Sequence, residues 1–515
     1  MNPKFVTIQL MLMLTAMAVA GQVHQPLRME IMLDQQDNYF TVMSMKEDGI
    51  VMFREVEKDR SPRTKVWEVV VIDTTLQQVL HRTYTLDFKA EFTGYEYRDK
   101  HLYLLYRMGL YQKDDLKILK INIDTGQVVE FNIKQIVPVN LTEFTIVGNA
   151  ALLGGYVNYR PALIHYDFEG KKIKVLPGIY RNNSELIEIN VDEKSKSFSV
   201  VMTERTRDKR FSISVKVFDE KGELLQNNFL EPRSNTSILY GRTTNNTQND
   251  QFIVGTYSHK RSNFSRGIYI ARLNRDPNEK PDITYFNYGD LKNFFSYMKA
   301  KRAARVKERV ERRKIKGKKI RFNYRLLVHD IIMENGNYLM IGEAFYPKYG
   351  SSGYYGGYGM LPGGQNLAFE GYKYTHAVII AFDTNGKLQY DNSFEINDVL
   401  SYQLEQLVSV GVEEDMVVLL YTYENVIRSK IIQRNEVLEG KAFNDIKLKF
   451  EDDIVRNNDS EVGGLKKWYD DYFFAYGVQK IKNFKDRGVG LNREVFYINK
   501  ITYHAPSEDL PVEGE

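Results

Sequence analysis

The sequence D-K-H-L-Y-L-L-Y-R-M, from Asp99 to Met108, is followed after a polar gap by L-K-I-L-K-I-N-I-D-T-G-Q-V-V-E-F, from Leu116 to Phe131. In both stretches aromatic and aliphatic residues alternate with polar ones, a pattern typical of partly buried β-strands. Asp124-Thr125-Gly126-Gln127 supplies a tight turn near the end of the second stretch. Together the two stretches predict three antiparallel strands in a meander.

This turn-and-strand unit recurs along the whole chain. One apolar residue from each of the eight copies serves as a marker: Ile50, Leu102, Leu152, Phe198, Phe252, Tyr338, Val417 and Phe473. Successive markers are 52, 50, 46, 54, 86, 79 and 56 residues apart. A spacing of about fifty residues is typical of one four-stranded propeller blade. We therefore predict an all-β fold, a single β-propeller of eight four-stranded blades, with seven blades as the alternative and with insertions at the two long spacings.

The two ends of the propeller, residues 21–503, predict how it closes. The strand Leu27–Leu33 precedes the first blade and has no partner there, whereas the last repeat, Tyr472–Tyr503, lacks a fourth strand. The N-terminal strand is therefore expected to complete the last blade, as in other propellers. Residues 504–515 contain two prolines and four acidic residues and are predicted to be a disordered acidic tail.

Residues 1–20 have the pattern of a secretion signal, with Lys4, an apolar run and Ala18-Val19-Ala20 before Gly21. The apolar run is too short for a membrane span of about 20 residues. The chain has no cysteine, which excludes disulfides, thiolate metal sites and cysteine nucleophiles. We expect an exported protein without an integral membrane segment, in the periplasm or at the cell surface.

The first insertion, residues 289–323, concentrates the basic charge of the chain. Residues 299–321 contain thirteen Lys or Arg and two Glu, a net charge of +11 that leaves −7 for the rest of the chain. Leu291, Phe295, Met298, Val306 and Val310 lie near helical spacing and predict a helix with a thin apolar stripe. This helix is either a solvated surface element or a docking site for an anionic partner. The candidate partner-binding residues are Lys301, Arg302, Arg305, Arg309, Arg312 and Arg313.

The second insertion, residues 345–374, is rich in glycine and tyrosine. Glycine keeps a loop mobile, and tyrosine offers a flat amphipathic contact surface, a combination also used in adaptable binding loops. We expect a mobile Gly/Tyr loop, which either contacts a partner or has no role. Its candidate partner-binding residues are Tyr349, Tyr354, Tyr355 and Tyr358.

Antiparallel strands place alternate connections at opposite faces of a propeller, so both insertions and the longer loops are predicted to share one face. Basic residues recur in those loops, including residues 482–493. The candidate partner-binding residues in the other loops of this face are Arg205, Arg207, Lys260 and Arg261. We predict a basic, loop-rich face that docks an acidic or membrane-associated protein. No nucleic-acid partner is expected, and peripheral contact with a membrane is compatible with this charge.

Catalytic motifs are missing from the sequence. The eight histidines are scattered without metal-ligand spacing, and no nucleophile elbow, phosphate-binding loop or calcium loop occurs. His165 and His376 each lie in a predicted third strand and are expected to be packed structural residues. We therefore predict no enzyme activity, no cofactor and no metal. Carboxylates across a central channel remain possible as an acid/base pair, although sequence does not place two of them at the required separation.

The Asp-x-Gly hairpin at Ile123–Gln127 and the Asp-x-x-Gly hairpin at Phe382–Lys387 resemble the turns of quinoprotein-like eight-bladed propellers, including the scaffold propellers of outer-membrane protein assembly. The tryptophan that follows the glycine in that family is replaced by Glu130-Phe131 and Gln389-Tyr390, so a quinone cofactor is not expected. The resemblance implies an exported scaffold that binds protein. The alternative hypothesis is a carbohydrate-active or other hydrolytic propeller with its site at the central channel.

Overall fold

The structure is a computed structural model, and it describes residues 23–34, 37–57, 61–245, 251–260, 262–274, 279–318, 320, 322, 324–351, 367–397, 399–413, 415–485 and 490–503. The predicted signal segment and the predicted C-terminal tail lie outside the described residues. No helix in the described part of the chain has the length and hydropathy needed to cross a bilayer.

The strands follow one another with few interruptions. The first half of the chain contains β1 (His24–Met32), β2 (Thr41–Ser44), β3 (Ile50–Val56), β4 (Thr64–Ile72), β5 (Gln78–Asp87), β6 (Ala90–Arg98), β7 (His101–Met108), β8 (Leu116–Asn122), β9 (Val128–Ile133), β10 (Asn140–Val147), β11 (Ala150–Val157), β12 (Arg160–Asp167), β13 (Lys172–Val175), β14 (Ser184–Asp192), β15 (Ser197–Arg205), β16 (Phe211–Asp219) and β17 (Leu224–Leu230).

The second half contains one α-helix, α1 (Ala300–Ile315), among the described residues. Its strands are β18 (Thr236–Thr243), β19 (Gln251–His259), β20 (Gly267–Leu273), β21 (Ile283–Asn287), β22 (Arg325–Val328), β23 (Ile332–Glu334), β24 (Asn337–Ser351), β25 (Leu367–Asp383), β26 (Leu388–Glu395), β27 (Leu400–Ser401), β28 (Ser409–Glu413), β29 (Met416–Tyr423), β30 (Val426–Gln433), β31 (Glu436–Asp445), β32 (Asp453–Lys467), β33 (Tyr472–Asn483) and β34 (Asn492–Thr502).

These strands form eight antiparallel sheets, and the fold is an eight-bladed β-propeller, as the repeat spacing predicts. Blades 1 to 5 are β2–β5, β6–β9, β10–β13, β14–β17 and β18–β21. Blade 6 is β22, β24, β25 and β26, with the short strands β23 and β27 added; blade 7 is β28–β31, and blade 8 is β32–β34 with β1. The seven-blade alternative is therefore wrong.

The chain contacts define two compact units. Unit 1 contains blades 1, 7 and 8, and unit 2, Asp87–Gln406, contains blades 2 to 6. In each unit the second and third strands of a blade are buried on both faces, as in β7, where Leu102 to Tyr106 are almost inaccessible. This burial explains why residues 102–106 form a continuous apolar run, a departure from the alternation expected of a half-buried strand. Aromatic and aliphatic clusters fill the space between neighbouring blades.

The short turns form for the reasons that the sequence suggests, with one difference. Asp383 accepts hydrogen bonds from the backbone N–H groups of Asn385 and Lys387, both at 2.9 Å, and Gly386 has a φ of +77°. In the corresponding turn of blade 2 the acceptor is Asn122, one position before the predicted segment. An Asx turn therefore caps both hairpins, but aspartate is not required at the same place.

The N-terminal strand completes blade 8, as predicted. β1 pairs antiparallel with β34, with Met29 opposite Ile498 and Met32 opposite Val495. Beside this pairing, the Arg28 guanidinium donates to Glu30 at 2.7 Å, to Asn499 at 2.9 Å and to Gln479 at 2.8 Å. Strand β1 is thus held in register by its backbone pairing with β34 and by the hydrogen bonds of Arg28, which this register brings into reach of their acceptors.

Candidate docking site

The basic insertion forms a shorter helix than the sequence predicts. Helix α1 begins at Ala300, so Leu291, Phe295 and Met298 precede it and do not continue its apolar stripe. Only Val310 is buried within the helix, and Val306 packs beside it. The first part of the insertion is instead a compact, non-helical segment that attaches the helix to blades 5 and 6.

Four arginines of α1 lie along one side of the helix. Arg302, Arg305, Arg309 and Arg312 are three or four residues apart, the spacing that places side chains on a common helix face. We call these four residues the arginine stripe. From Arg302 to Arg312 the helix rises by about 15 Å. All four are exposed, as are Lys301 and Arg313, so every candidate basic residue of the helix reaches solvent.

Lysines on another side of the helix contact the first part of the insertion. Lys307 Nζ donates to the backbone oxygen of Lys292 at 2.8 Å, and Lys314 Nζ lies 2.8 Å from Asp290 Oδ1. The hydrogen bond that Lys314 donates to Asp290 raises the pKa of Lys314. These lysines fix the rotation of the helix about its axis and leave the arginine stripe outside the contact.

The segment before α1 is clamped to blade 6 by Asp391, which is buried on β26. Its carboxylate accepts the backbone N–H groups of Lys292 at 2.8 Å and Asn293 at 2.7 Å, and its backbone oxygen accepts the Asn293 side chain at 3.0 Å. Burial raises the pKa of Asp391 above its ordinary value, while those backbone N–H groups act in the opposite direction. The insertion is therefore tied to the blade through its main chain.

Aromatic packing completes the attachment. Tyr297 stacks on His376 of β25 with a centroid distance of 3.6 Å, and the rings of Phe294 and Tyr324 meet His376 edge-on. His376 has no exposed surface, and burial lowers its pKa to about 3. The prediction that His376 is a packed structural residue is confirmed, and its neutral ring serves as the platform on which the insertion rests.

The arginine stripe has few internal partners. Arg312 lies 3.5 Å from Glu308, one turn earlier, and both side chains are largely exposed. Arg302, Arg305 and Arg309 make no ion pair with any residue in the described part of the chain. With eight Lys or Arg and two Glu in sixteen residues, the helix carries its positive charge mostly uncompensated. Such a concentration is unfavourable for the free protein and attracts anions.

Two further basic loops lie along the same edge of unit 2 as the insertion. We call this the loop edge; it bears the connections between second and third strands and the connections between blades. Ser237 Oγ accepts the backbone N–H of Phe211 at 3.1 Å and donates to the backbone oxygen of Lys260, which links the loops of blades 4 and 5. The backbone N–H of Ser265 donates to Tyr324 at 2.8 Å and so links blade 5 to the insertion.

The candidate residues of these loops are exposed at the loop edge. Arg205 lies over the ring of Phe211 at 5.4 Å, and Arg207 and Lys260 are also exposed. Arg261 lies outside the described residues. The third predicted basic loop, residues 482–493, belongs to unit 1. The structure thus brings Arg205, Arg207, Lys260 and the helix to the same edge of unit 2.

The Gly/Tyr insertion is more ordered than the sequence suggests. Residues 345–351 and 367–374 extend β24 and β25 into a paired hairpin arm, so the predicted mobile loop is wrong for this part. Tyr349 lies on the arm, pairs with Phe369 and is exposed, with the two rings 5.7 Å apart. Further ring contacts connect Phe369 to Tyr372 and Tyr372 to Phe345. Tyr354, Tyr355 and Tyr358 lie outside the described residues.

Two carboxylates, Glu188 on the first strand of blade 4 and Asp330 after the first strand of blade 6, lie beside Arg242 of blade 5. A β-bulge recurs in the first strands of blades 2 to 5, and Glu143, Glu188 and Tyr240 directly follow it in three of them. Arg242 Nη1 lies 3.2 Å from Glu188 and 3.2 Å from Asp330. A β-bulge often changes the direction in which the side chains that follow it point.

The surroundings of Glu188 are those of a structural carboxylate. It is 4% exposed and accepts the backbone N–H and the hydroxyl of Thr243, at 2.8 and 3.0 Å, as well as Arg242. Burial raises its pKa, and Arg242 acts in the opposite direction. Its hydrogen-bonding capacity is largely used to join blades 4 and 5. Among the described residues, no three His, Cys, Asp or Glu side chains are arranged to hold a metal ion.

Sequence reasoning missed the groups that hold the helix in place. No sequence motif marks Asp391, Tyr297 or Tyr324, because their roles depend on contacts between residues that are far apart in sequence. His165 is confirmed as a packed residue, and its Nε2 lies 2.8 Å from the Glu220 backbone oxygen. The exposed basic residues were predictable because their clustering in the sequence is itself the signal.

The sequence matches no protein-family model, and a comparison with curated proteins found no match. Solved structures that align with it include polysaccharide lyase Uly1, with 10% identity and a TM-score of 0.40 over 93% of this chain and 100% of that chain. The β-propeller domain of the Trilobed protease from Pyrococcus furiosus aligns with 10% identity and a TM-score of 0.35, over 83% of this chain and 99% of that one. Likenesses this weak carry no argument about activity, and the quinoprotein-like resemblance gains no support from them.

Proposed function

We propose that this protein is an exported, non-catalytic docking propeller that binds an acidic protein of the outer membrane or cell surface through the arginine stripe. The observation that carries the proposal is the contrast between the two sides of α1. One side packs on the preceding segment of the insertion through Lys307, Lys314 and Val310, and that segment is tied to blade 6 by Asp391, whereas the stripe faces solvent with little compensation. A rigid row of guanidinium groups suits carboxylates, because arginine binds them in a bidentate manner.

The resemblance to scaffold propellers of outer-membrane protein assembly supports the same class of function. Arg205, Arg207 and Lys260 extend the positive charge along the loop edge, and the aromatic arm offers exposed rings at that edge. In such an interface the charges steer the encounter, and the aromatic residues slow dissociation. The arginine stripe and the arm are therefore expected to affect different rate constants.

The first test replaces Arg302, Arg305, Arg309 and Arg312 with glutamine. Association with a partner co-purified from the native host should slow by about tenfold or more at low ionic strength, and the difference should shrink as salt screens the charges. The matched control replaces four exposed lysines of the turns at the opposite edge of unit 2 with glutamine, namely Lys171, Lys172, Lys194 and Lys196. It removes the same charge and should leave the association rate nearly unchanged.

The second part of the test concerns the arm. Truncating Tyr349 and Phe369 to alanine, alone and together with Tyr354, Tyr355 and Tyr358, should chiefly raise the dissociation rate. Surface plasmon resonance at two salt concentrations measures both constants. Unchanged rates in the stripe variant and in the arm variants would refute docking at the loop edge.

The hydrolytic alternative makes a different prediction. If Glu188 and Asp330 acted as an acid/base pair, Glu188→Gln would abolish hydrolysis of a polysaccharide or peptide substrate while the fold persisted. The three hydrogen bonds that Glu188 accepts favour a structural role instead. If Glu188 has this structural role, Glu188→Gln lowers the unfolding temperature, and neither the wild type nor the variant hydrolyses the substrate.

A further inference from the structure

A cavity of about 280 Å³ opens between blades 5 and 6 of unit 2. Leu239 and Leu326 form apolar walls, and polar side chains of Thr256, Asn263 and Arg325 line the rest. The first strands of the two blades, β18 and β22, contribute both leucines and the arginine. The cavity is therefore a feature of the blade interface, with its own residues, and includes none of the arginine stripe.

A strand irregularity creates part of this space. The register between β18 and β19 shifts between Ile238 and Tyr240, so Leu239 has no partner in the ladder. Leu239 and Tyr240 consequently line the cavity instead of following the regular pleat. The hydroxyl of Ser265, another lining residue, is already occupied by the Tyr288 hydroxyl at 2.8 Å and the Tyr324 backbone oxygen at 3.0 Å.

Arg325 is the charged group of the cavity, and no carboxylate is among the described residues that line the cavity with it. Its Nε is buried without a hydrogen-bond partner, and among the described residues its guanidinium forms no ion pair. The guanidinium carbon lies 5.3 Å from the centre of the Phe264 ring, which holds the planar group from one side. A partly buried cation that a protein leaves unpaired is costly unless a ligand supplies the anion.

We propose that this cavity binds a carboxylate, with Arg325 as the counter-ion and Leu239 and Leu326 around a short apolar body. The guanidinium offers the planar fork that carboxylates bind in a bidentate manner. The volume suits one small group, below the range of about 300–1,000 Å³ typical of drug-sized ligands. The carboxylate comes either from a free short-chain organic acid or from the C-terminus of a peptide. Arg325 binds the carboxylate group of either ligand in the same manner.

The test uses defined probes and the full chain. Butyrate represents the free acid, with butyramide as its neutral control; the peptide Ala-Ala-Ala-Leu with a free C-terminus represents the second source, with its C-terminal amide as control. Isothermal titration calorimetry should detect saturable binding of butyrate, of the free-acid peptide or of both, and at least tenfold weaker binding of the matching neutral control. Selective binding of the peptide identifies a chain terminus as the ligand, and preference for butyrate identifies a free acid.

Three variants connect binding to Arg325. Arg325→Gln should weaken binding at least tenfold, and Arg325→Lys should weaken it less because the charge remains without the fork. Arg107→Gln is the matched control, since the Arg107 Nε is also buried without a partner but does not line the cavity. Equal affinity of wild type and Arg325→Gln would overturn the proposal, as would the absence of saturable binding of both acids up to about 10 mM.

A fourth variant keeps the test valid if the Arg325 variants do not fold. Asn263 is exposed and lines the cavity, so Asn263→Asp adds a negative charge near Arg325 without changing a buried residue. It should weaken carboxylate binding several-fold, whereas Asn263→Gln should not. Unaltered binding in Asn263→Asp would contradict the proposal. Glutamine at the arginine stripe should leave butyrate binding nearly unchanged, so this proposal and the docking proposal fail separately.

Discussion

The arginines of blade 8 and those of helix α1 are placed in opposite ways. In blade 8, Arg28 and Arg493 are buried, and their guanidinium groups bind carboxylates and amides of the same blade. On α1, Arg302, Arg305 and Arg309 are exposed and form no ion pair with the described residues. The same side chain thus serves to fix a strand in one region and to present charge in the other.

Under the docking proposal, this difference separates arginines that hold the fold from arginines that bind a partner. An arginine that holds the fold has its partners nearby, and removing it leaves a buried carboxylate unpaired. An arginine kept for a partner is anchored through its helix and not through its own guanidinium group. The attachment of α1 by Asp391, Tyr297 and Lys314 makes the second arrangement possible.

The largest expected effect comes from removing the latch strand. Deletion of residues 21–34 removes β1 and leaves the edge of β34 unpaired together with the partners of Arg28. We expect loss of a cooperative thermal transition, or a fall of more than about 10 °C in the unfolding temperature, together with aggregation through the open edge. Deletion of the predicted tail, residues 504–515, is the control and should change the temperature little. Equal unfolding temperatures would show that β1 is dispensable.

A smaller loss is expected from one buried ion pair. Arg493 Nη1 lies 2.8 Å from Asp453 Oδ1, and the hydrogen bond to Asp453 raises the pKa of Arg493. Arg493→Ala leaves the buried Asp453 without this partner and should lower the free energy of unfolding by about 3–5 kcal/mol. Arg309→Ala on α1 should change it by less than about 0.5 kcal/mol. Urea unfolding measures both changes in the free energy of unfolding. Similar losses for the two variants would contradict the difference between the buried and the exposed arginines.

The smallest effect concerns pH and the His376 platform. Burial lowers the pKa of His376 to about 3, from 6.5. At pH values between about 3 and 6.5, His376 is protonated in the unfolded chain and neutral in the folded chain. His376 therefore lowers the free energy of unfolding as the pH falls below 6.5, and it has no effect above that pH. From pH 7 to pH 5.5 the contribution is about 1 kcal/mol.

Replacing His376 with phenylalanine tests this directly, because the ring can still stack on Tyr297 but does not titrate. The difference in unfolding free energy between wild type and His376→Phe should shift by about 1 kcal/mol between pH 7 and pH 5.5, in favour of the variant at the lower pH. Urea unfolding at both values measures it. A difference that stays constant with pH would show that His376 is not held neutral.

Much of the architecture was predictable from the sequence. Eight turn-and-strand units, the unpaired strand at Leu27–Leu33 and the basic insertion all leave local signals, since strand alternation, turn residues and clustered charge are properties of neighbouring residues. The helix boundary was less predictable. Leu291 and Phe295 match helical spacing, yet they pack with Tyr288 and Phe294 in a segment that contains no α-helix, and tertiary packing overrides the periodicity there.

The sequence by itself determined the repeats, the closure by β1 and the concentration of basic charge in the insertion, because these follow from local pattern and from the need to pair strand edges. Only the tertiary structure decided which groups anchor α1, that the arm at 345–351 and 367–374 is a paired hairpin, and that Arg325 lines a cavity. These features depend on contacts between residues tens of positions apart, such as Asp391 with Asn293 and Arg325 with Phe264. Such contacts arise from packing blade against blade, and no local pattern records them.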